Sequence, residues 1–105
     1  MQEGLKYAVK VQMDTAKTSY EIFDLAKKAA EHGKTDAVSD ALVSAQMAYS
    51  GVISGIANVK INLGDVEDGE FIDEMLDECE RLKNESKDKL DRVIEISEER
   101  LKINK

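Results

Sequence analysis

Few side chains in this 105-residue sequence could do chemistry, and they are scattered. The one histidine, His32, could move protons near neutral pH, and the one cysteine, Cys79, could offer a thiolate. Both have plainer readings. His32 precedes Gly33 at the end of a helical pattern, where, with Lys27 and Lys28, it suits the negative pole of the helix dipole. Cys79 falls on an apolar stripe and reads as a small buried hydrophobe. Ser39 and Asp40 open an uncharged run, and Asn58, Lys60 and Asn62 close it. Asn58 and Asn62, four apart, share one helical face. On residue type alone, Ser39 caps free amides and Asp40 sits at the positive end of the dipole. The asparagines bond backbone at a helix end, and Lys60 complements the negative pole there. A single cysteine forms no internal disulfide and builds no cysteine cluster, and no metal site is expected. The glycosylation-like triplet Asn84-Glu85-Ser86 reads as coincidence.

The elements that must position these residues are helices. With no proline, five aromatic residues and 35% charged side chains, the composition is that of an all-α chain and one domain at most. Leu5, Val9, Met13, Ala16, Tyr20, Phe23, Ala26 and Ala30 recur at three- and four-residue steps, predicting a first helix over about 3–32. Gly33 suits a left-handed closing residue, and Lys34-Thr35-Asp36 reads as a turn. A second helix is expected from Ser39 to about residue 61, closed by Gly64. Asp68 caps a third, over about 70–103, whose stripe is Ile72, Leu76, Cys79, Leu82, Leu90, Val93 and Leu101. The stretch 83–89 has no apolar residue and is expected to pack poorly, with Glu85/Lys89 and Asp88/Arg92 paired at helical spacing. The three helices are expected to be long, antiparallel and part of a larger helical bundle.

A net charge of −7 argues against nucleic acid and against anionic membrane surfaces. From Ala41 to Val59 there is no charged side chain, yet Ser44, Gln46, Ser50, Ser54 and Asn58 interrupt the run and no aromatic belt frames it. A membrane span is therefore not expected. With no signal-like start, the cytoplasm is the expected compartment. A helix apolar around its circumference needs more cover than two neighbours give, so a partner is expected: a second copy, or a missing piece of its own fold.

Val38-Ser39-Asp40-Ala41 and Asn58-Val59-Lys60-Ile61-Asn62-Leu63, with Ala29-Ala30-Glu31-His32-Gly33 and Glu70-Phe71, resemble the cyclodeaminase/cyclohydrolase family. This is the helical domain of formiminotransferase-cyclodeaminases and methenyl-tetrahydrofolate cyclohydrolases. The resemblance covers nearly the whole chain but only the C-terminal half of the family domain. The half with the Pro/Gly-rich turn and the proposed catalytic acid has no counterpart here. Gln12 and Leu42 stand where relatives often carry proline and glycine. The resemblance implies work on one-carbon units, with a tetrahydrofolate derivative as substrate: water adding to a methenyl cation, or ammonia leaving a formimino group. It implies Asp40 as the carboxylate near positive charge and the candidate catalytic residue. Asn58 and Asn62 would meet the pterin amide, Lys60 the glutamate tail, and Ser39 would lie in the same ligand-binding set. The other reading is a non-catalytic helical module that self-associates.

Overall fold

The structure is a computed structural model that describes residues 1–102. Three helices, α1 (Gln2–His32), α2 (Thr35–Leu63) and α3 (Gly69–Arg100), form a rod of 61 × 17 × 16 Å. The expected all-α fold is found, and the last residues assigned to the third helix, from 103 on, lie outside the described part. The α1 stripe is confirmed, with Val9, Met13, Ala16, Phe23, Ala26 and Ala30 buried. Contacts fix the directions. Gly55 lies over Ala16 and Gly51 over Ser19, so α2 runs antiparallel to α1. Lys6 meets Asp68, Lys17 meets Glu78 and Asp24 meets Lys89, so α3 runs parallel to α1.

The α1/α2 interface depends on small residues. A Cβ built on Gly55 would stand 2.8 Å from Ala16 Cβ, and one on Gly51 would stand 2.7 Å from Ser19 Oγ. Ala41, Ala45 and Ala48 are buried along the same helix. The two backbones therefore approach as closely as side-chain volume allows. α3 packs differently. Its inner row is Phe71, Cys79, Leu82, Ser86, Leu90, Val93 and Ser97, while the expected Leu76 and Leu101 are exposed. The stretch 83–89 is not poorly packed, because Ser86 takes the inward position and is fully buried. Glu85 and Lys89 do not pair with each other: Glu85 binds Arg81 at 3.0 Å, and Lys89 crosses to Asp24 at 2.8 Å.

The helix ends depart from expectation in instructive ways. Among the described residues, none adopts a positive φ. Gly33 is extended, at φ −74° and ψ 163°, and is needed for space: a Cβ there would lie 2.5 Å from the Ala29 carbonyl oxygen. Arg100 reaches across from α3 and donates to the carbonyls of Ala30 (2.8 Å), Glu31 (3.1 Å) and Gly33 (2.7 Å). A guanidinium thus satisfies the acceptors that a left-handed glycine would otherwise serve. Gly64 is right-handed, at φ −58° and ψ −25°. The expected turn at Thr35 and Asp36 is already helix, so Ser39 lies inside α2 and caps nothing; the N-cap is Lys34, with no side-chain bond. Asp68 caps α3 as expected, accepting from the Phe71 amide at 3.1 Å.

Two outcomes follow from this packing. Gly55→Val is expected to cost about 1–3 kcal/mol through overpacking against Ala16. Ser86→Ala is expected to hold or raise the melting temperature, because the Ser86 hydroxyl is buried with no hydrogen-bond partner. Thermal melts followed by circular dichroism check both. A third outcome concerns pH. The hydrogen bond from Lys6, and then the Phe71 amide, hold the Asp68 carboxyl below its ordinary pKa. The support it lends is therefore present above the ordinary aspartate range and lost as pH falls through the depressed value. Asp68→Asn should lower the melting temperature at neutral pH, and the gap to the unsubstituted chain should close in acid.

Candidate functional site

Asp40 stands on the exposed surface of α2, beside a groove that α2 forms with α1. The groove, of about 370 Å³, is lined by Ile22, Leu25, Ala29, Ala37, Asp40 and Ser44, among others. Its walls are apolar or small, and Asp40 is the carboxylate in that lining. An apolar trough with one carboxylate can hold a flat organic group and place a negative charge beside any cationic centre it carries. Ser39, one residue earlier, is exposed. It points elsewhere on the cylinder, about 100° from Asp40.

The other three residues lie at the far end of α2. Asn58 is 18 residues beyond Asp40, which is about five whole turns and ~27 Å along the axis. The two therefore share one side of the helix while standing far apart. Asn58 is exposed. Asn62, one turn further on, is half-buried and donates through Nδ2 to Gln12 Oε1 on α1 at 2.6 Å. Lys60 lies about 200° around the cylinder from Asn58, on the α3 side. Its charge reaches Cys79, partly opposing the burial that pushes that thiol up. The structure thus groups Asn58 with Asn62, sets Lys60 on the other flank, and separates all three from Asp40.

Cys79 is 1% exposed, as a core hydrophobe would be. His32 is exposed at the end of α1 and takes part in no described hydrogen bond or ion pair. Among the described residues, no three His, Cys, Asp or Glu side chains converge as metal ligands, and no helix is long and apolar enough to cross a membrane.

Two features of the site were absent from the sequence reading. Gln12 holds the carboxamide of Asn62, and Ile22 and Leu25 of α1 form the wall opposite Asp40. The signal for that wall was present. Val11, Thr15, Thr18, Ile22, Leu25 and Ala29 form an uncharged row at three- and four-residue steps, beside the buried stripe of α1.

The sequence model of the family described as Formiminotransferase-cyclodeaminase matches residues 1–81. The methenyltetrahydrofolate cyclohydrolase of Methylorubrum extorquens is 37% identical over 86 residues, covering 82% of this chain and 41% of the relative. The formimidoyltransferase-cyclodeaminase of Gallus gallus is 35% identical over 100 residues, covering 95% of this chain and 18% of the relative. That of Dictyostelium discoideum is 28% identical over 94 residues, with 90% and 18% covered. The chain thus spans less than half the length of each of these relatives. The family model covers most of the chain, and two of these relatives are more than 30% identical over most of it: the chain belongs to the formiminotransferase-cyclodeaminase family.

Proposed function

We propose that this chain is a folate-handling portion of a one-carbon domain. The reaction would be of the cyclohydrolase or cyclodeaminase type, and further protein would be needed to complete the site. The observation that carries this reading is the family match over residues 1–81, together with Asp40 at an apolar groove. Methenyl and formimino groups are both amidine-like cationic centres. A carboxylate on an apolar wall would stabilise that charge, and a polarised water or a departing ammonia needs a proton acceptor or donor nearby. Asp40 would fill the first role, and Asn58, with Asn62 held beside it by Gln12, would offer a carboxamide to a pterin amide edge at the other end of α2, so the further protein must bring the two ends of the site together. Lys60 would meet a carboxylate of the glutamate tail and Ser39 would border the ligand only where it extends around α2, since the two face other sides of the cylinder than Asn58 and Asp40. The substrate would be a tetrahydrofolate derivative, no metal would take part, and the compartment would be the cytoplasm.

A second reading, a non-catalytic helical module that self-associates, is favoured by the uncovered apolar side chains on α2, where Met47 is 69% and Ile61 71% exposed. Under it, Asn58→Ala and Lys60→Ala leave ligand behaviour untouched. Calorimetric titration of formyl-tetrahydrofolate separates the two, with the chain alone and with the complementary half of the Methylorubrum relative added. Measurable heat, weakened about tenfold (~1.4 kcal/mol) by Asp40→Ala or Asn58→Ala, is expected. These positions are exposed, so helicity should be unchanged. Absence of heat in both mixtures would leave the module reading standing.

A further inference from the structure

One hydrogen bond joins Gln12 on α1 to Asn62 in the last turn of α2, with Nδ2 of Asn62 donating to Oε1 of Gln12 at 2.6 Å. The contact of Ala16 with Gly55, one turn along α1 and two along α2, sets the spacing of the two backbones. A carboxamide carries two N–H donors and an oxygen with two lone pairs. The shared bond uses one hydrogen of Asn62 and one lone pair of Gln12. Neither side chain enters another described hydrogen bond, and both are half-buried, so each still meets solvent.

A pair that only pinned α1 to α2 would be strongest with two reciprocal bonds between its carboxamides. Here a single bond leaves the NH2 of Gln12 and the carbonyl oxygen of Asn62 unengaged. They are a donor and an acceptor on side chains already joined to each other. The side chains one turn away, Ala8, Val9, Thr15, Ala16, Asn58 and Val59, carry no charge. Such surroundings do not select an ion. They suit a neutral group that offers an acceptor and a donor side by side, which is the C=O/N–H edge of a lactam. An amidine edge, with an amino group in place of the carbonyl, has these functions exchanged. It would set donor against donor and acceptor against acceptor, and half-buried groups so mismatched lose water without gaining a partner.

We propose that Gln12 and Asn62 read the lactam edge of a ligand as one unit, Gln12 donating to its carbonyl oxygen and Asn62 accepting from its ring N–H. Gln12 is then a specificity-determining residue as well as a support for Asn62. The pair stands one turn from the exposed Asn58, at the end of α2 remote from Asp40. That the lactam belongs to the pterin of a folate rests on the function proposed above.

Nitrogen-15 NMR of the side-chain amides tests the pair without any ligand. Gln12→Leu should shift the Asn62 NH2 resonances and speed their exchange with water, whereas Gln12→Glu, which keeps the acceptor, should hold them protected. An Asn62 amide unmoved by Gln12→Leu overturns the proposal. Calorimetric titration, with the complementary half of the Methylorubrum relative added, tests the reading of the edge. The ligands are formyl-tetrahydrofolate and its counterpart with an amino group replacing the lactam oxygen. The unsubstituted chain should prefer the lactam by about tenfold. Gln12→Leu should remove most of that preference. Gln12→Glu, accepting from the amino group through its second oxygen, should turn it toward the amino counterpart. A general loosening of the helix pair would weaken both ligands alike, and equal weakening overturns the proposal. Pterin titrated against the labelled chain separates the identity of the ligand from the role of the pair. Shifts of both side-chain amides by pterin, with no heat from formyl-tetrahydrofolate, remove the folate reading and support the lactam reader. No response to either ligand overturns it.

Discussion

The structure depends on one contact above others, the near-touching of the α1 and α2 backbones where Gly55 meets Ala16 and Gly51 meets Ser19. Helices that close exchange many weak dispersion contacts and exclude water from backbone as well as side chains. They do so only if no long side chain stands between them, which explains the alanines and glycines on the inner side of α2. It also explains why the bulky apolar residues of that helix are not all inside. Val52, Ile56 and Val59 are buried in the core, while Val43, Met47 and Ile61 are left outside. A helix whose core side is small and whose outer side is apolar is suited to being wrapped by further protein.

α3 is attached by other means. Its seam with α1 carries Lys6 to Asp68, Lys17 to Glu78, Tyr20 to Glu85 and Asp24 to Lys89, with Arg100 closing the far end on α1 carbonyls. Lys89 also stands 5.0 Å from the centre of the Tyr20 ring. Exposed pairs of this kind contribute little individually. Their repetition at a nearly constant offset fixes which turn of α3 lies beside which turn of α1. The seam is thus polar outside and filled by Phe23, Leu82, Leu90 and Val93 within.

Much of this was legible in the sequence. The α1 stripe, the Asp68 cap, the burial of Cys79 and the incomplete cover of α2 all follow from side-chain type and period. What was not legible depended on partners distant in the chain. Gly33 was needed, but for the room below Ala29 rather than for a left-handed turn, and the capping of α1 fell to Arg100, some seventy residues on. Ser39 looked like a helix start because Ser followed by Asp is a good one; nothing local revealed that helix begins at Thr35 with an uncapped Lys34 before it. Ser86 was hidden by its charged neighbours, although a small polar residue fits where helices close. For the candidate site, residue types marked Asp40 and Asn58, but only the straight path of α2 showed how far apart they stand.

The connections also differ in length. Two residues, Gly33 and Lys34, separate α1 from α2, and five, residues 64–68, separate α2 from α3. With so short a link and so close an interface, α1 and α2 are expected to open as one unit, whereas α3 can detach at its polar seam. Amide hydrogens of α3 would then exchange with solvent through a partial opening that leaves the α1/α2 hairpin protected, dividing the rod into two cooperative pieces of unequal persistence.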